Sequence, residues 1–274
     1  MLSGGLRTEN IIKISQKNEP IVTVVTVVRN GDKTLEETIQ SIINQTYTNV
    51  EYIIIDGAST DNTLNIINNY SEKLDFWVSE PDKGIYHAMN KGIDLATGEW
   101  INFMNSGDSF YDIGSIEKFI KLYDTQSDVV YGNSQFFFDF GVFINNCTSI
   151  KQNYMPNCHQ AFFVKTNLLR NRYFDIKYQI CADKNFFYEI YKLGYKYQHI
   201  PVVICNYELI NGFSALTKNK KALFLETAEI EGTDKSLKGK IDYLLFMLKI
   251  HVIKIIPRKI MRAVFRRKYQ LVSY

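Results

Sequence analysis

The residues from Ile21 to Val28 form an unbroken run of β-branched side chains. A run without polar alternation predicts a strand that is buried on both faces of a sheet. Residues 50–55 are a second predicted buried strand, and between the two, apolar residues 35, 39, 42 and 43 recur at helical spacing. This alternation continues with a helix near 64–70, a strand at 76–79, a helix at 85–95 and a strand at 100–104. The pattern predicts an α/β fold with a mixed, mostly parallel sheet and helices on both faces.

The pattern is looser in the second half of the chain. It predicts a strand at 129–131 and a helix from Ala182 to about Leu193. An aromatic-rich segment at 135–143 lies between them. Short strands are expected at 196–200 and 202–207. With 274 residues, the chain is long enough for one full core and an appendage. We expect an N-terminal arm at 1–19, one domain at 20–215 and a helical C-terminal region at 216–274.

Polar loops follow four predicted strands, after residues 28, 55, 79 and 104. Ligands of mostly parallel sheets bind at the carboxyl ends of the strands, so these loops are the expected site. They and their flanks contain five segments in a fixed order: Val27 to Asn30, Ser41 to Gln45, Glu51 to Thr63, Ser79 to Gly84, and Ala96 to Asp108.

These five segments resemble the family 2 inverting glycosyltransferases with the Rossmann-like GT-A fold. The resemblance covers roughly residues 20–210 and implies a nucleotide-sugar half at 20–108 and an acceptor half at 109–215. It implies donor contacts from residues in the four loops: Val28, Asn30, Asp56, Lys83, Asn105 and Ser106. Asp56 matches the position that binds the uracil in the family, although an aspartate here could also simply close an Asx turn. Lys83 could reach a phosphate or ribose, or belong to an exposed turn.

Residues 105–108, Asn-Ser-Gly-Asp, stand where the family carries its metal motif, usually Asp-x-Asp or Asp-Asp. Asp108 is then the expected ligand of Mn²⁺ or Mg²⁺, and Asn105 is a weaker contact to the donor or metal. A hard cation of this kind is often held by one or two carboxylates beside substrate phosphates. The composition of this segment also suits a plain turn, and its departure from the family motif leaves strict metal dependence open.

Asp183 matches the family's catalytic base, which takes the proton from the acceptor hydroxyl. An aspartate that opens a helix is also a common N-cap, and the helix terminus favours its ionised form. His159 and Gln160 match a His-Gln pair that lies near the acceptor or diphosphate in similar proteins. A lone histidine is as readily a structural residue.

The charge is distributed unevenly along the chain. Residues 1–235 hold 22 Lys/Arg and 28 Asp/Glu, a net charge of −6, whereas residues 236–274 hold 10 Lys/Arg and one acid, a net charge of +9. The basic tail also carries an apolar stripe at positions 244, 245, 248, 252, 255 and 256. Such a helix is typical of attachment to an anionic membrane surface. Packing on the body or on a second subunit is the alternative, and nucleic acid is not expected as a partner.

The four cysteines show no Cys-x-x-Cys spacing, and no basic stretch followed by an apolar run opens the sequence. We therefore expect a cytoplasmic protein, peripheral on the inner face of the membrane. The Gln-x-x-Arg-Trp motif of the family's processive synthases is absent, which favours one sugar per encounter.

By resemblance, the expected reaction moves a sugar from a nucleotide-sugar, with UDP as the default, to a glycan or polyprenyl-diphosphate-linked hydroxyl. The expected pathway is the synthesis of bacterial surface polysaccharide, such as O-antigen, capsule or exopolysaccharide. Two alternatives stay open: a polyprenyl-phosphate sugar synthase, and an inactive nucleotide-sugar-binding scaffold.

Overall fold

The computed structural model describes residues 1–15, 19–138, 141–146, 155, 158–208, 219–236, 239 and 241–246. The strands are β1 (Leu2–Gly4), β2 (Val22–Val28), β3 (Val50–Asp56), β4 (Phe76–Ser79), β5 (Trp100–Phe103), β6 (Ser109–Phe110), β7 (Val129–Phe138), β8 (Gly141–Asn145), β9 (Phe162–Lys165) and β10 (Tyr197–Glu208). The helices are α1 (Leu35–Ile43), α2 (Thr63–Asn69), α3 (Ile85–Leu95), α4 (Ser115–Leu122), α5 (Thr166–Asn171), α6 (Ala182–Lys192) and α7 (Lys220–Ile230).

Among the described residues, the strands form one mixed sheet in the order β1-β4-β3-β2-β5-β9-β7-β10-β6, with β8 paired to β7. Strands β4, β3, β2 and β5 are parallel neighbours, so their carboxyl ends share one edge. Strands β7 and β10 are also parallel, whereas the pairs on both sides of β9 are antiparallel. The predicted α/β fold with a mixed sheet is confirmed, and its parallel part carries the four predicted loops.

The core explains why the first half of the chain is predictable. Strands β2 and β3 are buried along their whole lengths, as predicted, although β3 contains Glu51 near its start and Asp56 at its end. Helix α3 packs closely on β2 because Gly92 has no side chain. A Cβ at that position would lie 2.4 Å from Cγ1 of Val25, well inside van der Waals contact.

Two parts of the second half differ from the sequence prediction. The short strands expected at 196–200 and 202–207 are one strand, β10, which stays paired to β7 through two register shifts between His199 and Cys205. Pro201 lies within this irregular stretch, where a missing N–H is tolerated. The aromatic-rich segment contributes an antiparallel hairpin of β7 and β8, in which Phe136 stacks on Phe143.

The N-terminal segment is part of the folded body in residues 1–15. Strand β1 pairs antiparallel with β4 at the edge of the sheet. The Arg7 guanidinium contacts the carboxylate of Glu51, which is only 2% exposed. Lys13 lies 2.8 Å from the buried carboxylate of Asp75. These two ion pairs hold the segment against the amino ends of the parallel strands.

The described part of the C-terminal region begins with α7, which packs on the body next to α6. Leu244 and Leu245 of the predicted apolar stripe are 67% and 58% exposed. The rest of that stripe, and the basic residues predicted to flank it from 249 onward, lie outside the described residues. Within the described ranges, no helix has the length and apolar character needed to cross a bilayer.

Candidate active site

The loops after β2 and β3 are joined by hydrogen bonds at the carboxyl edge of the sheet. The Asn30 backbone N–H donates to Ser59 Oγ at 2.7 Å, and the Asn30 side-chain oxygen accepts from the Thr60 N–H at 2.8 Å. Asn30 has φ 53°, in the left-handed region that asparagine tolerates better than most residues. Val28, the last residue of β2, pairs with Asp56. Thus Val28, Asn30 and Asp56 lie together, as predicted.

Asp56 is fully buried, and its carboxylate orders the loop after β3. One oxygen accepts from the Ser59 hydroxyl, and the other accepts from the Ser79 hydroxyl at 2.6 Å and the Ser59 N–H at 3.1 Å. Asp56 therefore closes a local turn, the alternative that the sequence leaves open. A direct contact to a nucleotide base would require the base to replace one of these hydroxyl donors.

The loop after β4 meets the loop after β3 at a glycine. A Cβ at Gly57 would lie 2.3 Å from Asp82 Oδ2, so a larger residue there would displace the Asp82 carboxylate. Asp82 Oδ1 accepts from the Gly84 N–H at 2.8 Å and shapes the turn. Lys83 lies in the same turn and is exposed. The structure therefore brings Lys83 to the rim of the site beside the Asp56 loop.

The loop after β5 holds Asp108 between two neighbours. Its backbone oxygen accepts from the Thr38 hydroxyl of α1 at 2.8 Å, and its carboxylate Oδ2 accepts from Gln160 Nε2 at 2.6 Å. Ser106 contacts the Thr34 hydroxyl at 3.0 Å, just before α1. This loop therefore connects the N-terminal half of the site to the Gln160 segment.

A chain of buried or half-buried polar groups leads from that loop to the candidate base. Asn105 Nδ2 lies 3.1 Å from His159 Nε2, and His159 Nδ1 lies 2.9 Å from Asp183 Oδ2. On the other side, the Tyr86 hydroxyl of α3 lies 2.8 Å from Asp183 Oδ1. The Lys184 N–H donates to the same oxygen at 2.8 Å, at the first turn of α6. The structure therefore brings Asn105, His159 and Asp183 into one hydrogen-bonded array.

Asp183 raises the proton affinity of His159 in this array; once protonated, His159 donates from both ring nitrogens, so the Asn105 amide then turns its oxygen toward Nε2. Burial opposes the charge of each group, but their mutual hydrogen bond and attraction outweigh it. The pKa of Asp183 is lowered, and the Tyr86 hydroxyl contributes to this lowering. The pKa of His159 is raised, chiefly by Asp183 against the effect of burial. Asp183 is therefore a carboxylate at neutral pH and is able to accept a proton.

Three buried amide oxygens of the described residues lack a hydrogen-bond partner: Asn102 Oδ1, Asn105 Oδ1 and Gln160 Oε1. The last two belong to residues of this array and of the Asp108 contact. Buried acceptors of this kind need a ligand, water or ion to satisfy them. The Asp108 carboxylate, which accepts from Gln160 Nε2, is the type of oxygen ligand that a hard divalent cation prefers. Across the described residues no three His, Cys, Asp or Glu side chains cluster as a metal cage. One carboxylate is enough where the phosphates of a bound donor complete the coordination, so the residues fit such a cation.

Tyr86 is a member of the site that sequence reasoning missed. Its position on α3 matches the apolar face of that helix, where Met89 and Ile93 are also buried. A tyrosine with this spacing predicts core packing, and its ring is indeed buried against Phe174. Its contact with the candidate base is made by the hydroxyl alone, which lies 2.8 Å from Asp183 Oδ1, 97 residues further along the chain.

Comparison with known proteins adds independent findings. Residues 23–193 match the family model described as Glycosyl transferase family 2. A PGL/p-HBAD biosynthesis glycosyltransferase of Mycobacterium bovis is 32% identical over 219 residues, which cover 74% of this chain and 83% of the relative.

Solved structures show the same fold. A mannosyltransferase from Pyrobaculum calidifontis, in complex with GDP-Man and Mn²⁺, aligns with TM-score 0.61 at 20% identity, over 85% of this chain and 70% of that one. S. aureus TarS in complex with UDP aligns with TM-score 0.57 at 17% identity, over 76% of this chain and 63% of that one. The chain thus spans less than two thirds of the TarS chain that it matches. These likenesses confirm the predicted GT-A fold.

Proposed function

This chain belongs to glycosyl transferase family 2, and we propose that it is an inverting enzyme that moves one sugar from a nucleotide-sugar to an acceptor hydroxyl. The observation that carries this proposal is the polar array that links the Asp108 loop to the Asp183 carboxylate. It puts a candidate diphosphate-binding loop and a candidate base at one edge of the sheet. A direct displacement with inversion needs the base beside the acceptor hydroxyl and the diphosphate-binding loop beside the leaving group of the donor. Both groups must therefore lie in one site.

The donor binds across the loops after β2, β3, β4 and β5. Val28 and Asn30 form one wall with the turn that Asp56 orders, and Lys83 on the rim is suited to a phosphate or ribose. Asn105 and Ser106 face the sugar-diphosphate end. UDP is our proposed nucleotide. Of the two fold neighbours, TarS is in complex with UDP and the Pyrobaculum calidifontis mannosyltransferase with GDP-Man.

Asp108 would hold a divalent cation together with oxygens of the donor diphosphate. When bound, Mn²⁺ or Mg²⁺ neutralises the charge that develops on the leaving diphosphate. The chain prepares this position through Gln160, which fixes one carboxylate oxygen of Asp108, and through Thr38, which holds its backbone. The unpartnered oxygens of Asn105 and Gln160 are suited to accept from sugar or acceptor hydroxyls.

Asp183 acts as the general base. The acceptor oxygen bonds to the anomeric carbon, the bond from that carbon to the diphosphate breaks, and the hydroxyl proton passes to Asp183. Oδ1 already accepts from Tyr86 and Lys184, whereas Oδ2 accepts from His159. A carboxylate oxygen has about two lone pairs, so Oδ2 has capacity for the proton. The lowered pKa is compatible with this role because the proton leaves late, when the attacking hydroxyl has become acidic.

The proposed acceptor is a hydroxyl of a glycan or polyprenyl-diphosphate-linked intermediate in bacterial surface polysaccharide synthesis. The basic, apolar tail supports a peripheral position on the inner face of the cytoplasmic membrane, where such an acceptor would be met. The mycobacterial relative is named for a biosynthetic pathway, which agrees with a biosynthetic role.

A donor screen with the purified chain tests the proposal. UDP-, GDP- and dTDP-sugars are each assayed for binding and slow hydrolysis with Mn²⁺, with Mg²⁺ and with EDTA. We expect one donor to bind tightly with metal, to be hydrolysed slowly and to lose hydrolysis with EDTA. Binding to none of them under any condition would refute a nucleotide-sugar transferase. Tight binding without turnover, even with lipid acceptors extracted from cells, would instead indicate a scaffold.

A further inference from the structure

The loop that leads into the catalytic helix α6 is held by a helix of the C-terminal region. Gln179, Ile180 and Cys181 immediately precede α6, and Cys181 is its N-cap. The N–H groups of these three residues lie outside the helix and outside any strand, and those of the buried Ile180 and Cys181 need acceptors from elsewhere in the fold.

One carboxylate on α7 supplies those acceptors. Glu226 accepts from the N–H groups of Gln179, Ile180 and Cys181, each at 2.9 Å. Ile180 and Cys181 are only 8% and 2% exposed, so water cannot readily replace this carboxylate. A carboxylate bound by successive backbone N–H groups near a helix N-terminus is also favoured by the helix dipole.

The same loop contacts the catalytic carboxylate from its other side. The Tyr86 hydroxyl lies 2.7 Å from the Ile180 carbonyl oxygen and 2.8 Å from Asp183 Oδ1. Ile180 is thus held at its N–H by Glu226, and its C=O shares the single Tyr86 hydroxyl proton with Asp183 Oδ1. A shift of the loop would move the Tyr86 hydroxyl and Asp183 together.

Helix α7 has further contacts with this region. Lys184, next to Asp183, forms an ion pair with Glu231 at 2.6 Å. Thr227 Oγ1 lies 3.6 Å from the Cys181 thiol. Burial, together with the charges of Asp183 and Glu226, raises the pKa of that thiol to about 12, so Cys181 stays neutral and packs as an apolar group.

We propose that Glu226 is a positioning residue for catalysis, which fixes the loop at 179–181 and thereby the orientation of Asp183. This inference rests on the proposed role of Asp183 as the base. It makes the C-terminal region, through α7, a working part of the transferase site rather than an appendage. Catalytic groups that shift by about 1 Å can lose on the order of 100-fold in rate.

The test compares Glu226→Gln with Glu229→Gln in the full chain. Glu229 lies on the same helix, is about half exposed and contacts Lys177 and Tyr178 instead of the loop. We expect Glu226→Gln to lower kcat by about 10- to 100-fold while the Kd for the nucleotide-sugar changes less than about 2-fold. Glu229→Gln should leave both constants near those of the unchanged protein. Unchanged kcat in a folded Glu226→Gln variant would overturn the proposal, and so would an equal loss of donor binding.

Amide hydrogen exchange provides a readout that does not depend on turnover. We expect faster exchange at residues 179–181 in Glu226→Gln, and unchanged exchange there in Glu229→Gln. If the unchanged protein transfers no sugar, the proposed function fails, whereas the exchange result still decides whether Glu226 orders the loop. Unchanged protection at residues 179–181 would overturn the proposal whatever the activity.

Discussion

Replacing Asp183 by asparagine separates the proposed base from the other parts of the site. Asparagine keeps Oδ1 as an acceptor for Tyr86 and the Lys184 N–H, and it presents an NH₂ group to His159 in place of Oδ2. His159 can accept this hydrogen bond as a neutral ring, and the Asn105 amide can turn so that its unpartnered oxygen accepts from the other ring nitrogen. The packing is therefore retained while the basic carboxylate is lost.

The expected magnitudes follow from these contacts. Loss of a general base typically lowers the rate by about 10²- to 10⁴-fold, or about 2.7–5.4 kcal/mol of transition-state stabilisation. The folded state loses one charge-assisted hydrogen bond, which is worth about 1.5–3 kcal/mol. We therefore expect a folded variant with a modestly lower melting temperature, a nearly unchanged donor Kd and a strongly reduced kcat.

The assay measures transfer at saturating donor, with calorimetric donor binding and thermal unfolding on the same preparation. Asp234→Asn, at an exposed position, is the matched control and should behave like the unchanged protein. Retention of most transfer activity in Asp183→Asn would refute the role of Asp183 as a base. That result would favour a phosphate acceptor, which needs no base, as in a polyprenyl-phosphate sugar synthase.

Three further predictions concern the cation, the ion pair and the core. Mn²⁺ should tighten binding of the UDP-sugar to the unchanged protein but not to Asp108→Ala, as measured by calorimetry with and without EDTA; equal tightening in both would exclude Asp108 as the ligand. The pKa of His159 is raised above its ordinary 6.5, so the folded state binds the proton more tightly, and its stabilisation is present below pH 6.5 and lost as pH rises through the folded pKa. Urea unfolding should show this loss above pH 6.5 in the unchanged protein and a flatter dependence in His159→Gln; identical slopes would contradict the ion pair. Gly92→Ala should destabilise the fold by about 1–3 kcal/mol through overpacking against Val25, whereas Gly114→Ala, where a Cβ would meet its nearest neighbour at 3.5 Å, should be nearly neutral in the same urea titration. Equal stability of the two glycine variants would show that α3 can move away from β2.

The family resemblance and the local pattern together locate much of the site from the amino-acid sequence alone. Asp56 ends a strand and Asn30 and Asp108 lie in loops that follow strands, and parallel strands bring their carboxyl ends to one edge. His159 and Asp183 are also predicted, but only from the resemblance. No pattern in the sequence indicates that these two side chains contact each other. Their roles as base and acceptor contact stay predictions that the proposed experiments address.

The sequence by itself determined the helices and strands in which the spacing of apolar side chains indicates the buried faces. Strands β2 and β3 are buried on both faces, and their high content of β-branched residues marks them as buried strands. Helix α3 is predicted with its observed bounds. Strand β10 is predicted as two pieces because Pro201 interrupts its local sequence pattern. Its continuous pairing with β7, through two register shifts, is a property of the sheet.

Only the tertiary structure decided how the carboxylate of Asp183, the proposed base, is held. Tyr86 meets Asp183 across 97 residues, and Glu226 reaches Cys181 across 45. A tyrosine on an apolar helix face and a glutamate on a C-terminal helix carry no local sign of these contacts. Hydrogen bonds between distant segments depend on how helices dock on the sheet, and that docking is set by the packing of the whole core rather than by any short stretch of sequence.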